Sequence, residues 1–130
     1  SFNTNVMSVS ASHATLNYLL SNKNFYKNLN RSGETLIKGL EEAASKNGID
    51  ILIQGLGSVF YLSFTSAKSI KNYREHTLNI DFGKYKEFAK LMLLNGVRLS
   101  QNGRWHMSSA HSEEDIEKTI YAANLSFAEL

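Results

Sequence analysis

ILIQGLGSVFYLSFT, residues 51–65, is where the hydrophobic period of this chain changes. Ile51 and Ile53 fall two residues apart, and Gly55-Leu56-Gly57 supplies turn chemistry. Ser58 to Thr65 is then dense in Val, Phe and Tyr, side chains that suit a pleated surface. Val59 and Tyr61 share one face of this segment, and Phe60, Leu62 and Phe64 share the other. Apolar residues on both faces predict a strand covered on both sides, at least in part.

Upstream of this stretch the period is helical. Phe25, Leu29, Leu36, Ile37, Leu40, Ala43 and Ala44 recur every three or four residues and predict a long amphipathic helix that Asn47-Gly48 stops. Gly33 lies on the same stripe, where a missing side chain lets another backbone come close. Before it, Asn5 to about Ser21 reads as a helix. Its small residues Ser8, Ala11, Ser12 and Ala14 suit a position between two layers.

Downstream, residues 66–80 read as a polar connection with one helical turn around Tyr73. Phe82 to Leu94 reads as a helix carrying Phe82, Tyr85, Phe88, Ala89, Met92 and Leu93 on one face, capped by Asn95-Gly96. Val97–Ser100 and Trp105–Ser109 read as two short strands joined by the turn Gln101-Asn102-Gly103-Arg104. Ser112 with Asp115 then forms a capping box ahead of a last helix whose buried stripe is Ile116, Ile120, Ala123 and Phe127. The order helix, helix, strand, strand, helix, strand, strand, helix predicts an α+β fold: a short, mostly antiparallel sheet with helices on one face.

At 130 residues the chain has the size of one domain, and 42% apolar with 20% charged residues is an ordinary globular composition. No apolar run reaches the roughly 20 residues of a membrane helix. The N-terminus has neither the basic nor the apolar part of a signal peptide, so none is expected to be retained. The absence of cysteine removes disulfides, thiolate metal sites and cysteine nucleophiles, and it fits a cytoplasmic setting. A net charge of +2, with 14 bases and 12 acids interleaved, is no nucleic-acid footprint.

Few residues carry chemistry by type and spacing alone. His13 reads as a helix residue, His106 as an exposed strand residue, and His111 as shaping the start of the last helix. No two histidines stand four apart, so no metal site is expected. There is no Gly-x-Ser-x-Gly elbow, and Gly55-Leu56-Gly57 is a turn rather than a dinucleotide fingerprint. Arg98 and Arg104 are the best candidates: beside a strand pair, a guanidinium fork can hold a carboxylate through two parallel hydrogen bonds. Gln101 and Asn102 in the same turn could add neutral donors.

The order of motifs resembles the C-terminal part of class III aminotransferases, pyridoxal-phosphate enzymes of fold type I, and especially their glutamate-1-semialdehyde aminomutase branch. SFNTNVMSVSASHATLNYL, residues 1–19, is similar to the family's Gly-Thr-Phe-x-x-Asn-Pro stretch leading into an Ala-rich helix that ends Ala-Thr-Leu, here Ala14-Thr15-Leu16. Phe25 to Leu40, with Gly33, looks like the family's next helix. Gly57-Ser58-Val59-Phe60 is similar to Gly-Ser-Met-Phe, and Asn95-Gly96-Val97 to a strand-opening Gly-Val. GRWHMSSAHSEEDIEKTI, residues 103–120, resembles the closing Gly-Arg-Trp and Ala-His-Thr motifs with an acidic helix start. Val6 stands where the family has proline, and the turn from Gln101 to Arg104 is shorter than in the aminomutases.

The resemblance implies an interdomain linking helix over residues 1–21 and a C-terminal small domain over 22–130. It implies a homodimer, pyridoxal 5'-phosphate held mainly by an N-terminal domain of the same enzyme, and a small amino-acid-like substrate. The Schiff-base lysine, the acid on the pyridine nitrogen and the main phosphate turn would all lie upstream, leaving no catalytic residue here and a segment inactive alone. Ser1 takes the place of the threonine that bonds the cofactor phosphate of the neighbouring subunit. Arg104, then Arg98, would receive the substrate carboxylate. The competing reading is a free-standing α+β interaction or ligand-binding module without chemistry. In that case the first helix should fold onto its own sheet.

Overall fold

The structure is a computed structural model that describes residues 5–100 and 102–130. Eight elements follow in order: α1 (Val6–Ser21), α2 (Phe25–Lys46), β1 (Ile51–Leu56), β2 (Val59–Phe64), α3 (Tyr73–Asn79), α4 (Phe82–Leu94), β3 (Arg104–His106) and α5 (Glu113–Ala128). Side-chain caps start most of the helices. The Asn5 carboxamide oxygen accepts from Ser8 N–H at 3.0 Å, Asp81 accepts from Lys84 N–H at 2.8 Å, and Ser112 with Asp115 forms the expected capping box. Asn47-Gly48 and Asn95-Gly96 end α2 and α4, with φ at +67° and +86° on the two glycines.

The sheet is antiparallel, in the order β1-β2-β3. Ile51 pairs with Phe64 and Leu56 with Val59, so the hairpin turn is Gly57-Ser58 and β1 continues through Gly55 and Leu56, where the sequence had suggested the turn itself. Gly55 lies opposite Phe60 at φ +153°, and a Cβ there would press on the Phe60 backbone. Val97–Ser100 is not a strand. It joins neither outer edge of the β1-β2-β3 sheet. Its Val97 N–H goes instead to Met92 C=O at 2.8 Å, and its Ser100 C=O accepts from the Tyr85 hydroxyl at 2.9 Å.

Phe60, Leu62 and Phe64 project from one face of β2 into a core closed by α2, α4 and α5. Phe88 stacks on Phe127 with centroids 4.6 Å apart, Phe64 meets both edge-on, and Phe60 stacks on Trp105 at 5.5 Å. Each such ring removed from water contributes about 1.5–3 kcal/mol. The other face of β2 is only partly covered, since Val59 is exposed and Tyr61 half-buried. Within α4, Phe82 and Leu93 leave the expected stripe for the surface and Leu91 takes a buried place. Ile120 of α5 is half-buried, lying where a Cβ on Gly39 would stand.

Gly33 has the role its place on the stripe suggested. A Cβ there would fall on the Gly57 carbonyl, and Asn30, one turn earlier, accepts from Ser58 N–H at 3.3 Å. α2 thus seats the β1–β2 turn backbone to backbone. By contrast α1 buries none of its residues: Met7, Leu20 and Val6 are each at least 74% exposed, and Leu16 is 58% exposed. It does not fold onto the sheet.

Candidate functional site

The shortest strand positions the best candidate. β3 is anchored on β2 by the pairs Val59–His106, Phe60–Trp105 and Tyr61–Arg104, and alternation puts Trp105 in the core while Arg104 and His106 stay exposed. Arg98 sits in the segment after α4 that the Tyr85 hydroxyl ties down at Ser100. The two arginines line one cleft of roughly 270 Å³ with His106, His111 and Asp115, over an apolar floor that includes Trp105 and Ile116. Among the described residues neither arginine makes an ion pair, so both forks are available to an anion.

The polar groups around them are held in definite states. Asp115 accepts from the Ser112 N–H and hydroxyl, both at 2.8 Å, and these bonds hold its carboxyl below the usual aspartate range. His111 Nδ1 accepts from Ser108 N–H at 3.0 Å, which leaves Nε2 to carry the proton of the neutral ring. That bond shapes the turn into α5, as its position before Ser112 suggested. Beneath the cleft, burial pushes the Tyr85 hydroxyl up to about 12, against the opposing influence of Trp105 and Gly103 nearby. The Trp105 indole N–H lies near that hydroxyl without the geometry of a hydrogen bond and stays a buried donor without a partner.

Relatives give this geometry a context. No protein-family model matches the chain. A glutamate-1-semialdehyde 2,1-aminomutase of Desulfatibacillum aliphaticivorans is 39% identical over 121 residues, covering 92% of this chain and 28% of the relative. Over that span the chain is homologous to part of this aminomutase. It spans little more than a quarter of that relative's length.

Solved structures carry the same fold. The FumI protein of Sphingopyxis sp. MTA144, in its PLP internal aldimine form, superposes with a TM-score of 0.70 at 20% identity, over 86% of this chain and 24% of that one. An omega-transaminase from Sphaerobacter thermophilus gives 0.66 at 16% identity, over 79% and 24%. A β-phenylalanine aminotransferase from Variovorax paradoxus gives 0.66 at 18% identity, over 75% and 22%. In each case this chain corresponds to about a quarter of the solved chain.

The residues of this segment do not make a pyridoxal-phosphate site by themselves. A Schiff-base lysine needs a walled pocket, yet nine of the ten lysines are exposed. The tenth, Lys84, lies over the outer face of Phe64, 5.9 Å from the ring centre. None of the ten lines the Arg98–Arg104 cleft. Ser1 and Gln101 lie outside the described residues. Asn102 accepts from the Ser100 hydroxyl at 2.7 Å, leaving its amide N–H groups as the neutral donors near Arg104. Among the described residues no cluster of His, Asp and Glu could hold a metal ion.

One histidine carried no signal in the sequence. His76, in the short α3, packs against Tyr61, Tyr73 and Phe82 with centroids 5.2, 6.1 and 5.3 Å away. Tyr73 stands three residues earlier on the same helix, but Tyr61 and Phe82 come from β2 and α4, so no local spacing could have grouped all four rings.

Proposed function

We propose that this chain is the C-terminal portion of a pyridoxal-phosphate-dependent aminotransferase or aminomutase that moves an amino group on an amino acid or semialdehyde. Residues 1–21 link this portion to the N-terminal domain that carries the cofactor, and residues 22–130 form the small domain that closes over the substrate. The observation that carries the reading is the alignment of 92% of this chain with 28% of an aminomutase. The cofactor, when bound, supplies the electron sink of amino-group chemistry. This segment supplies orientation: Arg104, with Arg98 across the same cleft, grips the substrate carboxylate, while Tyr85 fixes the backbone that carries Arg98. Its partners are the N-terminal domain, a second copy of the enzyme in a homodimer and a small amino-acid-like substrate, in a cytoplasmic setting.

The uncovered face of α1 supports the linking role and counts against a free-standing module, which would fold that helix onto its own sheet. Among the described residues no helix is long and apolar enough to cross a membrane. The test is steady-state amino transfer by the full-length protein. Arg104→Met raises KM for the carboxylate substrate by about tenfold or more, Arg98→Met raises it less, and Arg104→Lys recovers only part because an ammonium lacks the fork. Unchanged KM in both methionine variants removes the arginines from substrate binding.

A further inference from the structure

The sheet face turned away from the core carries a second concavity. Tyr61 and Arg104 are cross-strand partners on that face. The chain after β2 returns over it, held by Gln54, whose amide bonds both the N–H and the C=O of Ile70 at 3.2 and 3.3 Å. α3 then sets His76 beside Tyr61, Phe82 at the start of α4 closes the far side, and Tyr73 stacks on His76 with ring planes 13° apart. Together with Lys71 and Arg104 these four rings line an open basin of about 520 Å³. One ring nitrogen of His76, Nδ1, is buried without a hydrogen-bond partner, so packing against its neighbours holds the ring in place.

The charge of this basin is one-sided. Lys71 and Arg104 line it and no carboxylate does. The nearest acids are committed to helix starts. Glu75 accepts from Lys71 N–H at 2.9 Å and from the Asn72 amide at 2.8 Å, and Asp81 accepts from Lys84 N–H at 2.8 Å. An anion entering here meets Arg104 without a competing internal partner, and whatever it carries beyond the anionic group meets aromatic surface.

We propose that this basin binds a carboxylate bearing a flat apolar body, with Arg104 taking the carboxylate and Tyr61, Tyr73, His76 and Phe82 taking the body. That the bound molecule is the substrate rests on the amino-transfer reading above, with Arg104, which lines both concavities, holding the carboxylate where they meet and the basin taking the body. On that reading the four rings are specificity-determining and favour aryl-bearing amino acids over short aliphatic ones. A flat ring gains offset or edge contacts with several of the four at once, and a two- or three-carbon chain reaches too little of their surface to do the same.

Titration calorimetry on the full-length protein tests this, with 3-phenylpropionate and butyrate as probes. 3-Phenylpropionate binds about tenfold more tightly than butyrate. Tyr73→Ala and His76→Ala each remove most of that preference while butyrate affinity stays within about twofold. Tyr73 is 83% exposed, so its variant keeps the fold even where His76→Ala does not. Equal affinity for the two probes, or a preference that survives both substitutions, overturns the proposal. Binding requires no turnover, which separates the two readings. A Tyr73-sensitive preference in a protein without amino transfer keeps the site and removes the substrate assignment. Amino transfer without that preference keeps the enzyme and removes the site.

Discussion

Tyr85 joins the core to the candidate cleft through a single hydroxyl. Its ring packs between Phe64 and Phe88, and its O–H donates to the Ser100 carbonyl at 2.9 Å. Burial raises its pKa to about 12, so the fold keeps the proton after an unfolded tyrosine, near 10, has released it. The unfolded chain therefore loses its proton first. Tyr85 contributes full stability below pH 10, and that contribution drains away as the pH rises from 10 toward 12. Tyr85→Phe costs about 1 kcal/mol at neutral pH through the lost hydrogen bond. Urea unfolding at a series of pH values detects a shallower alkaline decline in the variant, and an identical decline would assign the slope elsewhere. Burial also raises the Tyr61 pKa, so part of the slope remains. At this scale the sequence revealed what depends on residue type. Arg98 and Arg104 stood out because their forks suit carboxylates, and the structure brings both to one cleft. His76 stayed hidden because its surroundings come from β2, α3 and α4, and nothing in residues 66–80 marks a strand-facing ring.

Among the elements, the contact between α2 and the β1–β2 turn is the tightest constraint. The Cβ of an alanine at position 33 would overlap the Gly57 carbonyl oxygen, and main-chain atoms on both sides leave nothing that can swing aside. Gly33→Ala therefore destabilises the protein by about 3 kcal/mol despite the better helix propensity of alanine, because helix and hairpin must part to admit it. Chemical denaturation measures this directly, and a neutral or stabilising result would mean that α2 and the turn are not seated backbone to backbone. The helices were legible because caps, glycine stops and the 3.6-residue stripe are local signals: Asn47-Gly48, Asn95-Gly96 and Ser112 with Asp115 fall at the observed ends. The strands were less so. Val97–Ser100 has strand composition, yet its Val97 N–H and Ser100 C=O bond to the Met92 carbonyl and the Tyr85 hydroxyl rather than to a strand. Likewise Gly55-Leu56-Gly57 has turn composition, but the register places the turn at Gly57-Ser58.

Across the whole molecule the unusual feature is a 16-residue helix, α1, that buries nothing. A compact unit with its core closed by α2, α4 and α5 has no use for an extra helix exposing Val6, Met7, Val9, Leu16 and Leu20. The account expects these 130 residues, expressed alone, to self-associate through α1. Leu16→Glu combined with Leu20→Lys should weaken that association by about tenfold in sedimentation equilibrium. A strictly monomeric wild-type segment would leave α1 without the partner it is built to meet. The small residues of this helix were legible as packing signals, whereas none of them is buried within this chain.

The central claim is that this segment is one wall of a cleft whose reactive wall lies in another part of the same protein. The most direct measurement is borohydride reduction of the full-length, pyridoxal-phosphate-loaded protein, followed by peptide mass mapping of the labelled lysine. The account predicts a single phosphopyridoxyl-lysine outside residues 1–130, with none of the ten lysines of this segment labelled. Stoichiometric label on any of those ten, or no specifically labelled lysine in the protein at all, would contradict it.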